Sequence, residues 1–343
     1  MRQNANATAE LLTIDSPGSF QAAVNRAAEL LRAGEVVAVP TETVYGLAAN
    51  ALDAAAVGRI FEAKGRPAHN PIIVHVASAP MARACVADWP QMADKLAHAF
   101  WPGPLTLVLP RAPMIPDIVT AGGATVGVRW PSHPFVQALI RECGFPLAAP
   151  SANPSNRVSP TTAAHVRRQL GSRIPLIIDG GQSQVGIEST VLDISTTPPR
   201  LLRPGMIHQQ ALLAVLGQIA VGKGQSGPVL KSPGMLKKHY APRARLAIWS
   251  WQDDSDLRKR TAQSGVPAAK IFVIAHTRIP SGKGLGGVSV IPRDAEAFAR
   301  AFYAELHDCD DRGAELIVVE ALPADVQWAA IADRLNRAAQ DSA

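Results

Sequence analysis

Short apolar runs alternate with amphipathic helical patterns along most of this chain, and this alternation is what most constrains its fold. Apolar residues spaced three or four apart predict helices, whereas short continuous apolar runs between turn residues predict buried strands. In the first part of the chain we predict helices at 18–33, 53–64, 91–100, 133–142 and 160–170. We predict strands there at 35–39, 72–76, 105–109, 125–130, 146–150, 175–179 and 187–194. This order is typical of a mixed α/β domain with a large sheet.

A segment rich in glycine and proline, residues 221–244, interrupts the alternation and reads as a linker. After it, predicted strands at 245–250, 270–275, 287–291 and 315–320 alternate with helices at 253–263, 294–308 and 325–338. That alternation favours a small, doubly wound, Rossmann-like domain. We therefore expect a first domain at 1–220, a linker at 221–244 and a C-terminal domain at 245–343.

The composition is that of a globular protein, with 47% apolar and 18% charged residues. No apolar run reaches the ~20 residues needed to span a bilayer, and the N-terminus lacks the apolar core of a signal peptide. Cys85, Cys143 and Cys309 form no CxxC pair, which argues against a zinc knuckle or a disulfide framework. We expect a cytoplasmic protein with no membrane contact.

The positive charge of the chain is concentrated. The net charge is +6, and residues 211–250 hold six basic and no acidic side chains. A nucleic-acid-binding protein usually spreads basic charge over a face, so this segment better suits a small polyanion or a local RNA contact.

The stretch KGRPAHNP, residues 64–71, places Lys64, Arg66 and Asn70 close together. Arginine and lysine both suit phosphate, so the stretch predicts a polyanion site. The alternative is a helix that ends at Lys64–Gly65 with basic residues near its C-terminus. Neither a P-loop nor a dinucleotide-binding fingerprint is present, so a phosphate would have to be held in another way.

Polar residues stand at the ends of several predicted strands, where α/β folds usually bind ligands. The alternative is ordinary turn chemistry. His75, inside an apolar run, is either a buried core residue or a ligand contact. No serine or cysteine nucleophile pattern and no metal-binding histidine spacing stands out. The strand-end residues are Arg129, Ser151, Asn153, Glu188, Ser189 and Arg203.

Together, these motifs resemble the YrdC-like family over residues 16–210. The motifs occur in the order PTETVYGL (40–47), KGRPAHNP (64–71), WPGPLT (101–106), VGVRWP (126–131), PSAN (150–153) and ESTVLD (188–193). The tail adds SPG at 232–234 and HYAP at 239–242, and resembles the longer, two-domain form of the family. The resemblance implies a twisted α/β sheet with a concave basic cleft.

The resemblance also implies an activity, that of an L-threonylcarbamoyladenylate synthase, a nucleotidyltransferase. Such enzymes combine L-threonine, bicarbonate or CO2, and ATP into threonylcarbamoyl-AMP and pyrophosphate. The product serves the threonylcarbamoyladenosine modification of tRNA next to the anticodon, and partner proteins perform the transfer. The chemistry requires positioning and charge neutralisation, with no protein nucleophile and no metal held by the protein; Mg2+ would arrive with ATP.

By the same resemblance, the threonine contacts are Thr43, His75, Arg129, Ser151 and Ser189. The nucleotide contacts are Lys64, Arg66, Asn70, Thr125, Asn153, Thr161, Arg203 and Tyr240. The basic linker would close over the nucleotide as a lid, with Tyr240 part of it. One departure concerns the loop after PSAN, where the family commonly has a second glycine and this chain has Asn156–Arg157.

Two other classes of protein remain open at the level of sequence. A non-catalytic RNA-binding module would use the basic face, although only 5% of residues are aromatic and no RNA-binding signature is present. Even an enzyme of this family could make a weak RNA contact. A carbamoyl-transfer domain of the hydrogenase-maturation type would carry acylphosphatase and zinc-finger segments, which do not occur here.

Overall fold

A computed structural model describes residues 8–221 and 240–339. The predicted lid and the SPG motif fall mainly on residues outside this described part. The described residues divide into two compact units. The first comprises 8–155, 159–184 and 188–221, and the second comprises 156–158, 185–187 and 240–339.

The first unit is built on a mixed sheet, which has 11 strands within the described residues. Its spatial order is β1-β8-β2-β3-β7-β4-β6-β5-β9-β10-β11. The strands are β1 Glu10–Thr13, β2 Val37–Val39, β3 Gly46–Asn50, β4 Val74–His75, β5 Leu105–Pro110, β6 Thr125–Arg129, β7 Leu147–Ala148, β8 Leu176–Asp179, β9 Thr190–Asp193, β10 Arg200–Arg203 and β11 Ala220–Val221.

The helices of this unit begin and end where local chemistry favours it. Asp53 caps the helix that begins at Ala54, because its Oδ1 accepts hydrogen bonds from the N–H groups of Ala55 and Ala56. The same helix ends at Gly65 in the left-handed conformation (φ 59°). The helices are α1 Pro17–Arg32, α2 Ala54–Lys64, α3 Ala79–Ala84, α4 Gln91–Phe100, α5 Asp117–Thr120, α6 Pro134–Cys143, α7 Ala163–Leu170 and α8 Gln209–Leu216.

Helices cover the two faces of the large sheet unequally. One face packs against α2, α4, α5 and α7 in the largest apolar cluster. The opposite face packs against α1 and α6 over β2, β3, β7 and β8. Farther along that opposite face, Ile73, Val108 and Val191 form a separate small cluster to which no helix of the described residues contributes. The row of polar side chains on β4, β5 and β6, described below, lies on this second face.

The second unit contains a four-stranded parallel sheet of order β12-β15-β13-β14, in the described residues. Its elements are β12 Arg245–Trp249, α9 Asp254–Gln263, β13 Ile271–Ala275, β14 Gly287–Val290, α10 Ala295–Asp311, β15 Leu316–Glu320 and α11 Ala329–Ala338. The predicted α/β fold class is confirmed in both units. No helix among the described residues is long and apolar enough to cross a membrane.

Candidate active site

A cross-strand row of polar side chains forms the centre of the site. His75 of β4 and Thr106 of β5 both lie directly opposite Arg129 of β6. Because paired residues on neighbouring strands project from the same face, these three side chains share one face of the sheet. Thr125 stands four residues before Arg129 on the same strand and therefore shares that face. Strand pairing thus brings together residues that are far apart in sequence.

Arg129 is buried, and neighbouring groups hold its guanidinium on several sides. Its Nη1 donates a hydrogen bond to Thr43 Oγ1 at 2.9 Å, and its Nε donates to the carbonyl oxygen of Gly103 at 3.4 Å. Its Nη2 lies 2.7 Å from Glu42 Oε1 in a buried ion pair. Burial is the largest single influence and would raise the pKa of Glu42, but the charge and proximity of Arg129, together with the nearby backbone of Ser132, outweigh burial and lower that pKa. The pair of Arg129 and Glu42 therefore presents one positive and one negative charge at the centre of the site.

His75 is a neutral imidazole in this site. Burial, reinforced by the nearby charge of Arg129, lowers the pKa of His75 to about 3. Its Nδ1 is buried and makes no hydrogen bond within the described residues. His75 is therefore buried, as one alternative from the sequence has it, and it keeps an unused polar atom; its contact with a ligand stays a prediction.

A second group of predicted residues joins the row through Thr106. Thr106 Oγ1 and Ser189 Oγ are 2.8 Å apart and share a hydrogen bond. Arg203 Nη2 donates to Ser189 Oγ at 3.1 Å, and Arg203 Nε donates to the Ser189 carbonyl at 3.0 Å. The strand-end residues Ser189 and Arg203 thus form one buried network with the centre of the sheet.

The side chain of Lys64 makes contacts that the sequence did not predict. Its side chain is buried, and Nζ donates hydrogen bonds to the carbonyl oxygens of Ser151 and Asn153, both at 2.5 Å. Burial, assisted by the charge of Arg66, lowers the pKa of Lys64 well below its usual value. The two hydrogen bonds tie the PSAN loop to the C-terminal end of α2. Because α2 ends at Lys64, the helix-end alternative is observed. The contact of Lys64 with ATP stays a prediction.

The other predicted nucleotide residues are mostly engaged with nearby groups. Arg66 donates from Nε to the Asn70 carbonyl at 3.1 Å and from Nη2 to the Pro71 carbonyl at 2.7 Å. The side-chain oxygen of Asn70 is buried and makes no hydrogen bond in the described part of the chain. Thr161 is also buried, and its backbone N–H donates to His165 Nδ1 at 3.2 Å.

Tyr240 and the departure at Asn156 both belong to the second unit. The Tyr240 ring is buried, with its centroid 5.9 Å from that of Tyr303 and 5.6 Å from the Arg334 guanidinium. Asn156 has φ 66° and accepts a hydrogen bond from the Ala241 N–H. Asparagine tolerates this left-handed conformation better than most residues, which explains how it can stand where the family has glycine. The nucleotide contact of Tyr240 stays a prediction.

The prediction from sequence omits two residues of the network, Glu42 and Thr106. Glu42 stands inside the PTETVYGL motif, where a carboxylate between two threonines was a usable signal. Thr106 is the polar residue within the apolar run 105–109, and its position opposite Arg129 depends on strand register, which the sequence does not give.

Known proteins resemble this chain over most of its length. The Sua5/YciO/YrdC family model, described as telomere recombination, matches residues 29–205, and the model for the threonylcarbamoyl-AMP synthase C-terminal domain matches residues 207–340. A threonylcarbamoyl-AMP synthase from Pyrococcus abyssi is 41% identical, covering 91% of this chain and 92% of the relative. One from Bacillus subtilis is 43% identical, covering 92% of each.

A solved structure agrees with this assignment. The crystal structure of P. abyssi Sua5 complexed with L-threonine matches with a TM-score of 0.87 and 38% identity, covering 96% of this chain and 97% of that one. The family resemblance inferred from the motifs is therefore confirmed. The chain belongs to the threonylcarbamoyl-AMP synthase family, in its two-domain form.

Proposed function

We propose that this chain makes threonylcarbamoyl-AMP and pyrophosphate from L-threonine, bicarbonate or CO2, and ATP, acting as a nucleotidyltransferase in the modification of tRNA. One observation carries the assignment: both parts of the chain match threonylcarbamoyl-AMP synthases, at 41% identity over 91% of its length. The alternative of a non-catalytic RNA-binding module has no support from these relatives.

The proposed reaction has two bond-forming steps. The threonine ammonium group loses a proton to water, and the free amine attacks CO2 to form the N–C bond. Loss of a second N–H proton to water completes the carbamate. A carbamate oxygen then attacks the α-phosphorus of ATP, the bond to the β-phosphate bridging oxygen breaks, and pyrophosphate leaves. Neither step needs a protein nucleophile, so the chain contributes binding, orientation and charge neutralisation.

The residues of the central row are suited to bind threonine. Arg129 offers a planar group of donors to the amino-acid carboxylate, beside Thr43. The unused Nδ1 of neutral His75 is available to a hydroxyl or an ammonium donor. Ser151 and Ser189 complete the proposed threonine set.

For the nucleotide, we propose as contacts Arg66, Asn70, Thr125, Asn153, Thr161, Arg203 and Tyr240. We propose that Lys64 both holds the PSAN loop and offsets the negative charge of the phosphates. Arg203 lies buried against Ser189, which places a fixed cation beside the threonine set. A cation at this position would favour the negative charge that develops on the phosphates.

Magnesium is proposed to arrive with ATP. The described residues contain no cluster of three histidine, cysteine or acidic side chains suited to hold a metal ion. A magnesium ion carried by ATP would be held mainly by phosphate oxygens, a mode that Mg2+ favours, and would neutralise phosphate charge. We further propose a cytoplasmic location, delivery of the product to tRNA-modifying transfer proteins, and at most a weak direct contact with RNA.

Pyrophosphate release tests the proposed function. Release should require ATP, threonine and bicarbonate together, and serine should support much slower release than threonine. If pyrophosphate appears equally well without an amino acid, or equally well with serine, the proposed substrate is wrong. Binding of RNA without pyrophosphate release would favour the alternative function.

A further inference from the structure

Glu42 is a buried carboxylate that the reaction as written leaves without a role. Its Oε1 lies 2.7 Å from Arg129 Nη2, but the two groups are not aligned for a hydrogen bond. The backbone of Ser132 lies near enough to favour the charged form, again without good alignment. Within the described residues, neither oxygen makes a well-aligned hydrogen bond, although buried charges are normally satisfied. The carboxylate therefore retains unused capacity to accept hydrogen bonds.

The surroundings of Glu42 are those of the amino-acid site. Arg129, its ion-pair partner, also binds Thr43 Oγ1 at 2.9 Å and lies opposite His75 in the sheet. His75 is neutral and its Nδ1 is likewise unsatisfied in the described part of the chain. The unsatisfied atoms of Glu42 and His75 thus flank the guanidinium that we assign to the threonine carboxylate.

An amino acid in water is a zwitterion, with an ammonium and a carboxylate on the same carbon. If Arg129 alone faced this ligand, the ammonium would be drawn close to a guanidinium, and the two positive charges would repel each other. The pair of Glu42 and Arg129 instead presents one charge of each sign. This arrangement is complementary to the zwitterion and disfavours ligands that carry only a carboxylate.

We propose that Glu42 is a positioning residue that binds the α-ammonium group of threonine and so fixes the amine for carboxylation. This inference rests on the proposed function, because it assumes that threonine occupies the site of Arg129. Glu42 is not assigned as the base, because the Arg129 charge that lowers its pKa also makes it a weak proton acceptor.

Equilibrium binding of two ligands separates this role from simple support of Arg129. L-Threonine is compared with 3-hydroxybutyrate of matching configuration, which keeps the methyl, hydroxyl and carboxylate groups but lacks the amine. Wild-type protein should prefer threonine. Glu42→Gln should weaken threonine binding about ten- to a hundredfold, while binding of 3-hydroxybutyrate and of ATP stays within about twofold. Glu35→Gln is the matched control, since Glu35 pairs with Arg59 at the surface and should leave every affinity unchanged.

The possible results separate a failure of the Glu42 inference from a failure of the proposed function. Equal weakening of threonine and 3-hydroxybutyrate would mean that Glu42 only supports Arg129, and would overturn the inference. Failure of the wild-type protein to bind threonine would instead overturn the proposed function, and the role of Glu42 with it. If Glu42→Gln does not fold, Glu42→Asp keeps the charge but withdraws it by one methylene, and its preference for threonine should still fall. An unchanged preference in Glu42→Asp would then contradict the proposal.

Discussion

At the scale of single residues, Arg129 is fixed in place by Thr43, Glu42 and the Gly103 carbonyl. A planar guanidinium held this way can meet a carboxylate through two parallel hydrogen bonds, which a lysine ammonium cannot reproduce. Arg129→Lys should therefore lower kcat/KM for threonine about ten- to a hundredfold, since a charge-assisted contact contributes roughly 1.5–3 kcal/mol. Steady-state kinetics would check this.

The control for that variant is Arg141→Lys, because Arg141 is exposed and donates a hydrogen bond to the side chain of Gln137. It should leave the kinetics unchanged. Normal use of threonine by Arg129→Lys would remove Arg129 from the threonine site.

A substitution of Lys64 can distinguish a structural role of this residue from direct phosphate binding. Lys64→Met keeps the length of the stem but leaves the carbonyls of Ser151 and Asn153 without their buried donor, which should cost about 1–3 kcal/mol of unfolding free energy. Denaturant unfolding and ATP affinity should both be measured, with the exposed Lys95→Met as control. Weaker ATP binding with unchanged stability would contradict the role of Lys64 in holding the PSAN loop, and would leave phosphate contact as its role.

The lowered pKa of His75 predicts how the stability of the protein depends on pH. Folded His75 stays neutral because its pKa is about 3, whereas in the unfolded chain it takes up a proton near its ordinary value of 6.5. Acid therefore favours the unfolded state, and this part of the stability is present above pH ~6.5 and lost as the pH falls toward ~3. Between pH 7 and pH 5, the unfolding free energy of His75→Gln should fall by about 2 kcal/mol less than that of the wild type. Equal losses in the two proteins would contradict a buried neutral His75.

At the scale of elements, the sequence predicts helices and apolar strands better than it predicts pairing. Helix α1 and strands β5 and β6 lie close to their predicted ranges, because periodicity and turn residues mark them. Strand β3, with the sequence GLAAN, was not predicted, since small residues have little preference for strands. It forms because β2 and β7 satisfy its backbone on both sides. The network of Arg129, Thr106 and Ser189 likewise depends on register that local sequence cannot specify.

The turn that follows β10 packs closely against the start of β9, and a substitution at Gly205 tests how much this close packing matters. A Cβ on Gly205 would lie 2.4 Å from the Thr190 backbone nitrogen and 2.6 Å from its Oγ1, so the turn after Arg203 would have to move. Gly205→Ala should cost about 1–3 kcal/mol of unfolding free energy and weaken activity through Arg203. Thermal or denaturant unfolding would measure this cost.

Gly58 of α2 provides the matched control. Outside the helix's own backbone and the neighbouring residues, no heavy atom of the described part of the chain lies within 4 Å of a Cβ placed there, so Gly58→Ala should stabilise the protein by about 0.5–1 kcal/mol through helix propensity. Equal effects of the two substitutions would show that the close packing at Gly205 is unimportant.

At the scale of the whole molecule, the described chain holds two compact α/β units, and family models match both. Among the positions assigned to threonine, Thr43 bonds to Arg129, His75 lies opposite Arg129 in the sheet, and Ser189 bonds to Thr106, which also lies opposite Arg129. This grouping within the first unit supports the proposed threonine site. The basic segment predicted as a lid lies mainly outside the described residues, so closure over the nucleotide stays a prediction from sequence.

The most direct test of the account is mass spectrometry of the reaction with ATP, L-threonine and isotope-labelled bicarbonate. The account predicts a product with the mass of threonylcarbamoyl-AMP that carries the label, together with pyrophosphate, and it predicts much less of this product from the Arg129→Lys variant. ATP cleavage without labelled threonylcarbamoyl-AMP, or equal yield from the variant, would contradict it.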